Sequence, residues 1–444
     1  MKFSRPDDWK SQLYYALPCF STLLLFIPTT GVLQGIYAMH YGMPLATIAA
    51  IVLFSRISDA FTDPLVGFYS DKLRASYGTR KHFVIIGGVT LLISAYFLFN
   101  PPDKVSPEYF LFWYITFYFS WTLFEIPHLA WGGEIASGPQ GKTKIYMYRY
   151  IFGYAGTLCF YVIPFLPFIK GDGLGPEALR WGVVLAGLLL IPSLWLCGKK
   201  VDNGPQNFET SPKKISLKTI SMYVIKDKNL QRFLCAYLLA GAGAGMWVGM
   251  LYLFVDAYLL AGSKLPFMYI GGTLAGILAM FFWYKVSVYI GKRRALMAGL
   301  VAVSACTFIF SYLQPESSYL FLIIIIMSVY FCYSSLQVLA PSVLSDIADE
   351  NRERSKTDQS AMYFSLYSLA TKLNFAIGGA SALLIADLYG FNPSANVFSD
   401  SNIFGLKLSS SYIPSLLLLL STSFIMSISY GEDKLDGINV ESKK

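Results

Sequence analysis

Long apolar runs alternate with short polar connections from one end of the chain to the other. Twelve runs lie near residues 14–38, 44–69, 82–100, 110–132, 146–169, 181–198, 233–258, 266–290, 295–313, 318–341, 361–388 and 411–430. Each is long enough to cross about 30 Å of hydrocarbon as a helix, so the pattern predicts twelve membrane spans. The longest polar connection, 199–232, is rich in Lys and contains Pro205 and Pro212. It reads as a cytoplasmic linker between an N-terminal half, 1–198, and a C-terminal half with its tail, 233–444. The expected fold class is all-α and integral to the membrane: twelve transmembrane helices in two pseudo-symmetric six-helix halves.

Composition sharpens this picture. Of 444 residues, 55% are hydrophobic and 14% charged, unlike a soluble globular domain. The first ten residues are polar, and the apolar run after them continues too far for a cleavable signal. The six Cys sit in or beside apolar runs without metal spacing, as small apolar filler. The net charge of +8 reports topology rather than nucleic-acid binding. Of the 35 Lys and Arg, 27 fall in the N-terminal segment, every second connection and the tail. Five fall in the intervening connections, and three, Arg56, Arg149 and Lys372, lie inside spans. Positive charge gathers on the cytoplasmic side, so both termini are expected there. The outer connections hold no Asn-X-Ser/Thr acceptor other than a Pro-blocked one at Asn392, which points to a bacterial inner membrane.

The chemistry concentrates in residues 56–81, RISDAFTDPLVGFYSDKLRASYGTRK. Asp59 and Asp63 are four apart and share one helix face, and Pro64 beside them predicts a kink. A carboxylate at mid-membrane costs roughly 3 kcal/mol on insertion scales, so something positive must relieve the pair. Glu125 lies at a similar depth in the fourth span, about 22 Å from its outer mouth at 1.5 Å per residue. Thr62 and Thr122 add hydroxyls beside the acids, and hydroxyls with carboxylates suit Na⁺, whereas carboxylates alone suffice for H⁺. Arg56 lies three residues before Asp59 and is placed to neutralise it. Arg149 near the end of the fifth span and Lys372 in the eleventh complete a polar network near the midplane. An inert Asp63–Lys372 bridge is the competing structural reading. Gly67 allows close approach of a neighbouring helix, and Asp71 and Arg80 are candidates for a gate at the cytoplasmic mouth. Lys72, Arg74 and Lys81 read as orientation charges. Trp247, after the small-residue run AGAGAG, is a candidate lining residue, as are Tyr37, Trp131 and Tyr363. His128 reads as a structural hydrogen-bonder.

An internal repeat is visible. Gly78-Thr79-Arg80-Lys81 follows the second span, and Gly291-Lys292-Arg293-Arg294 follows the eighth. Asp59 and Asp63 have no counterpart in the second half, so the cation-type site belongs to the first.

These residues resemble the glycoside–pentoside–hexuronide:cation symporters, the melibiose-permease branch of the major facilitator superfamily, and the related sodium-coupled lysolipid symporters. The resemblance rests on RISDAFTDPLVG with its GTRK loop, EIPHLAW, the Arg of YMYRYIFG, and PSVLSDIAD followed by FSLYSLATKLNFAIGG. It implies a coupling-cation site at Asp59, Thr62, Asp63, Thr122 and Glu125 for Na⁺ or H⁺, with Asp59, Asp63 and Glu125 the ligands if the ion is Na⁺. It implies substrate and coupling roles for Arg149 and Lys372, to which Arg56, Gln34 and Trp247 are added as candidates. Two departures stand out. The first span, LPCFSTLLLFIPTTGVLQGIY, carries no charge where galactoside carriers have a Lys–Asp pair, so Thr29, Thr30 and Gln34 are its polar replacements. Leu129 stands where those carriers stack a sugar on Trp. The expected function is cation-coupled symport of a sugar or glycoside by alternating access, working as a monomer with a small-molecule substrate and no cofactor beyond the coupling ion. A lysophospholipid or other amphiphile is the alternative substrate. A non-transporting receptor or scaffold is the alternative class. No nucleophile–base pair, zinc spacing or phosphate loop indicates an enzyme.

Overall fold

The computed structural model describes residues 9–135, 138–167, 169, 173–203, 227–355, 360–395 and 397–428. Among them the twelve spans are helical. Span 1 is Trp9–Phe26, a tight turn Ile27–Thr30, and Val32–His40. Spans 2 to 6 are Leu45–Tyr77, Lys81–Phe99, Pro107–Ile135, Gly138–Val162 and Pro176–Lys200. Span 7 is Lys228–Leu253 with a π-turn Phe254–Tyr258. Spans 8 to 11 are Leu265–Ile290, Lys292–Phe310, Tyr319–Ser355 and Ser360–Leu388. Span 12 is Asp400–Lys407, a π-turn Leu408–Tyr412, and Ile413–Met426. Ten of these are apolar and long enough to cross a membrane; spans 4 and 5 are long enough but richer in polar and aromatic residues.

Several helices run past the expected ends, span 10 to Ser355 rather than 341 and span 2 to Tyr77 rather than 69, and span 5 starts at Gly138 rather than 146. Span 1 is broken at Ile27–Thr30, where Pro28 cannot donate to the helix ladder. Span 12 begins at Asp400 rather than near 411, because Ser399 and Asn402 form a reciprocal capping box ahead of it. Its serines look polar in sequence, yet Ser409 and Ser410 are buried and donate to Leu406 O. Span 2 continues as helix through Pro64, and span 4 through Pro127.

The chain divides into two compact units: 1–212 with 262–266, and 213–261 with 267–444. Most of the expected linker, residues 204–226, lies outside the described residues. Within the first unit span 1 packs on spans 5 and 6, and span 3 on spans 4 and 6. Within the second, span 7 packs on spans 11 and 12, and span 9 on spans 10 and 12. These are the same pairings six spans later, so the repeat seen in two loops extends to helix packing. Small residues permit the closeness. A Cβ at Gly87 of span 3 would lie 2.6 Å from the backbone carbon of Leu123 in span 4.

Candidate functional site

The site grows from two facing stripes in the first unit. On span 4, Tyr114, Tyr118, Thr122 and Glu125 recur at helical spacing on one face. On span 2, Arg56, Asp59 and Asp63 do the same. Spans 2 and 4 pack together, so the stripes meet.

Three pairings organise the carboxylates. Arg56 Nη1 donates to Asp59 Oδ2 at 2.9 Å, and its guanidinium lies 3.6 Å from the centre of the Tyr118 ring. Thr122 Oγ1 donates to Asp63 Oδ1 at 2.9 Å across the two helices, rather than back-bonding to its own carbonyls. Arg149 Nη2 donates to Glu125 Oε2 in a salt bridge between spans 5 and 4. The Thr62 hydroxyl and Arg149 Nε are buried and have no hydrogen-bond partner. Gln34 joins from span 1: its Nε2 donates to Thr29 O at 2.7 Å and to Tyr114 OH at 3.2 Å. Tyr118 OH and Thr29 Oγ1 are 2.9 Å apart. Gln34, Arg56, Asp59 and the tyrosine pair thus form one continuous network.

As they stand, Asp59, Asp63 and Glu125 do not converge as one three-carboxylate ion cage. No three His, Cys, Asp or Glu gather around a metal position among the described residues. The reason is that fixed guanidinium groups hold two of the acids. Asp63 has hydroxyl neighbours, Thr122 as a hydrogen-bond donor and Thr62 adjacent in sequence. All three supply hard oxygen, the donor type for Na⁺. Lys372 and Trp247 belong to the second unit. Lys372 is exposed on span 11. Trp247 is buried with its ring 5.8 Å from Phe310 and 5.7 Å from Tyr330.

A second charged cluster sits where span 2 turns into span 3. Arg80 donates to Asp71 at 2.6 Å, to Glu134 at 2.8 Å and to Ser70 at 2.7 Å. Arg74 donates to the other oxygen of Glu134 at 2.9 Å. Arg74 is therefore not merely an orientation charge. Neither is Lys81, whose ammonium donates to Val201 O at 2.6 Å. A Cβ at Gly67 would meet nothing within 4 Å, so the close helix approach expected there is not made. The second unit repeats the clasp: Lys292 donates to Asp346 at 2.7 Å. Arg80 and Glu134 are 54 residues apart, and so are Lys292 and Asp346. Sequence reading missed Glu134, and this shared spacing is the signal that finds it. It also missed Tyr114 and Tyr118, which fall eight and four residues before Thr122.

The expected cavity-lining aromatics of the first unit are buried anchors. Tyr37 OH donates to Leu98 O at 2.7 Å, and Trp131 Nε1 to Asp202 O at 2.8 Å. In the second unit, Tyr363 OH donates to Asp227, the residue that caps span 7.

Comparison with known proteins places these features in a family context. A family model described as MFS/sugar transport protein matches residues 14–432. A relative named for glycoside/cation symport, YagG of Escherichia coli (strain K12), is 22% identical over 98% of this chain and 93% of its own length. A glucuronide carrier protein homolog from the same organism is 23% identical, covering 98% and 95%. A sodium-dependent lysophosphatidylcholine symporter of Gallus gallus is 23% identical, covering 91% and 84%. Among solved structures, a variant of the nucleoside transporter NupG superposes with a TM-score of 0.71 at 15% identity, covering 95% of this chain and all of that one. A bacterial homolog of the human lysosomal transporter Spinster gives 0.67 at 11% identity, covering 95% and 97%.

Proposed function

The chain belongs to the MFS/sugar transport protein family, a family of multi-pass membrane transporters, and on that premise we propose that it is a cation-coupled symporter of a glycoside-type small solute. The observation that carries this reading is the Asp63–Thr122 hydrogen bond between spans 2 and 4, beside a buried Thr62 hydroxyl with no partner. A carboxylate with hydroxyls gathered beside it where two helices meet supplies the hard oxygens that Na⁺ takes, and the carboxylate alone suffices for H⁺. Na⁺ or H⁺ is therefore captured at Asp63, Thr62 and Thr122. Asp59 and Glu125 are reached through their arginines. When cation charge enters, Arg56 and Arg149 gain the freedom to exchange partners, and Arg149 links that exchange to solute binding. Cation and solute then raise each other's affinity by the same factor, as linkage requires. Alternating access carries both across the membrane together.

The solute class follows from the relatives named for glycoside and glucuronide carriage. The uncharged first span offers Gln34, with a buried unpartnered Oε1, where charged carriers have an ion pair. The test is uptake into proteoliposomes across a panel of glycosides, with and without a Na⁺ or H⁺ gradient. Asp63→Asn is expected to abolish the gradient-dependent component while leaving the protein folded. An unchanged cation response in that variant overturns the mechanism. Binding without counterflow of labelled solute would indicate a receptor, and gradient-driven uptake of lysophospholipid alone would move the solute class.

A further inference from the structure

Span 1 and span 4 of the first unit are joined by a closed pair of hydrogen bonds around His128. Tyr15 OH donates to His128 O at 2.6 Å, and His128 Nε2 lies 3.0 Å from Tyr15 O. The two rings stack at 4.1 Å with 4° between their planes, and both residues are fully buried. Gly132, one turn further along span 4, makes room: a Cβ there would lie 2.7 Å from Tyr15 Cζ. Phe124 stacks against the imidazole from one turn earlier, and Trp131 meets it edge-on.

The donors in this cluster can be assigned in one direction. A backbone carbonyl only accepts, so Nε2 carries the proton that reaches Tyr15 O. Nδ1 faces Cys19 Sγ at 3.9 Å and accepts from its thiol. The Arg149 guanidinium lies near enough to Cys19 for its charge to act on the thiol. Arg149 donates to Glu125. The groups facing the imidazole are thus Tyr15 and Cys19 from span 1, Arg149 from span 5, and Phe124 and Trp131 from its own helix. The only charge among them is positive, and among the described residues no carboxylate is found against the ring to stabilise an imidazolium.

We propose that His128 is a positioning residue for coupling: as the neutral Nε2–H tautomer it ties span 1, at Tyr15 and Cys19, to span 4 one turn from Glu125, and so sets where that carboxylate meets Arg149. Thr122, Glu125 and His128 are spaced by threes on span 4, so the clasp lies one turn from the Glu125 carboxylate and two from the hydroxyl that grips Asp63. The inference rests on the coupled-symport reading above. It assigns His128 no proton of its own to carry. Its role is to place the carboxylate from which the cation must release that arginine.

The experiment uses the purified full-length protein and its thermal stabilisation by NaCl, or by protons in a pH series if those are what the wild type answers to. His128→Phe keeps the stacked ring and removes both ring nitrogens. It is expected to shift the half-saturating cation concentration about two- to tenfold, the scale of one or two hydrogen bonds. His128→Gln retains a donor toward Tyr15 O and is expected to lie nearer wild type. With ¹⁵N-histidine labelling, the chain has only three His to assign. The His128 signals are expected to show a proton on Nε2 alone, unchanged from about pH 6 to pH 8, across the ordinary histidine range. A folded His128→Phe with the wild-type cation response, or a His128 ring that titrates in that window, overturns the proposal. If His128→Phe does not fold, Cys19→Ala and Tyr15→Phe carry the test, and wild-type responses in both overturn it. A wild type indifferent to Na⁺ and H⁺ is a different result: it removes the coupled-symport reading, and this role with it.

Discussion

Charges inside this molecule are kept or lost by which partner each acid receives. Arg56–Asp59 is an (i, i+3) pair on one helix, so its formation follows from the chain's own spacing. The Asp63–Thr122 contact has no such local cause. It forms only because span 2 packs on span 4, and no pattern within either span records that register. Tyr118 likewise gains meaning only when Arg56 comes to lie over its ring. These contacts carry a prediction at the scale of one hydroxyl. Thr122→Val keeps the shape and removes the donor to Asp63, the cost being about 1.5–3 kcal/mol for a hydrogen bond to a charged group. In gradient-driven uptake this variant is expected to need roughly tenfold or more cation for half-maximal rate, with solute KM less affected. An unchanged cation dependence removes Thr122 from the site.

The element scale is where the two clasps differ in weight. In the first unit Arg74, Arg80 and Glu134 have side chains exposed by 4%, 7% and 11%. In the second, Lys292 and Asp346 are exposed by 36% and 25%. Removing one partner of a buried pair costs about 3–5 kcal/mol because it strands the other charge, whereas an exposed pair contributes about 0–1 kcal/mol. Glu134→Gln should therefore lower the thermal unfolding midpoint clearly, while Asp346→Asn should leave it nearly unchanged. Equal effects would show that the repeat is energetic as well as geometric. The sequence displayed the basic half of each clasp as GTRK and GKRR. It concealed the acidic half, because a single Glu near a span end has no periodic signature of its own. The same limit explains the boundary of span 12. Serines that bond to their own helix are buried there, and hydropathy counts them as polar.

At the scale of the whole molecule, charge asymmetry makes a prediction that helix packing alone does not. Lys and Arg concentrate on one set of connections by 27 to five, so both termini and the central connection are expected in the cytoplasm. Fluorescent-protein fusions at either terminus should be bright, and periplasmic phosphatase fusions there inactive; the reverse pattern would invert the topology. What the sequence determined by itself is the all-helical membrane character, the near positions of twelve spans, the half-chain repeat and the acids of span 2, because hydrophobic length and charge are properties of short stretches. The tertiary structure alone decided that Thr122 bonds Asp63 and Arg149 pairs with Glu125 across neighbouring spans, and that Tyr15, Cys19 and His128 close on one another from separate spans. Those are properties of register between helices distant in the chain, and register follows from how side chains and small residues interlock rather than from any periodicity a single helix can carry.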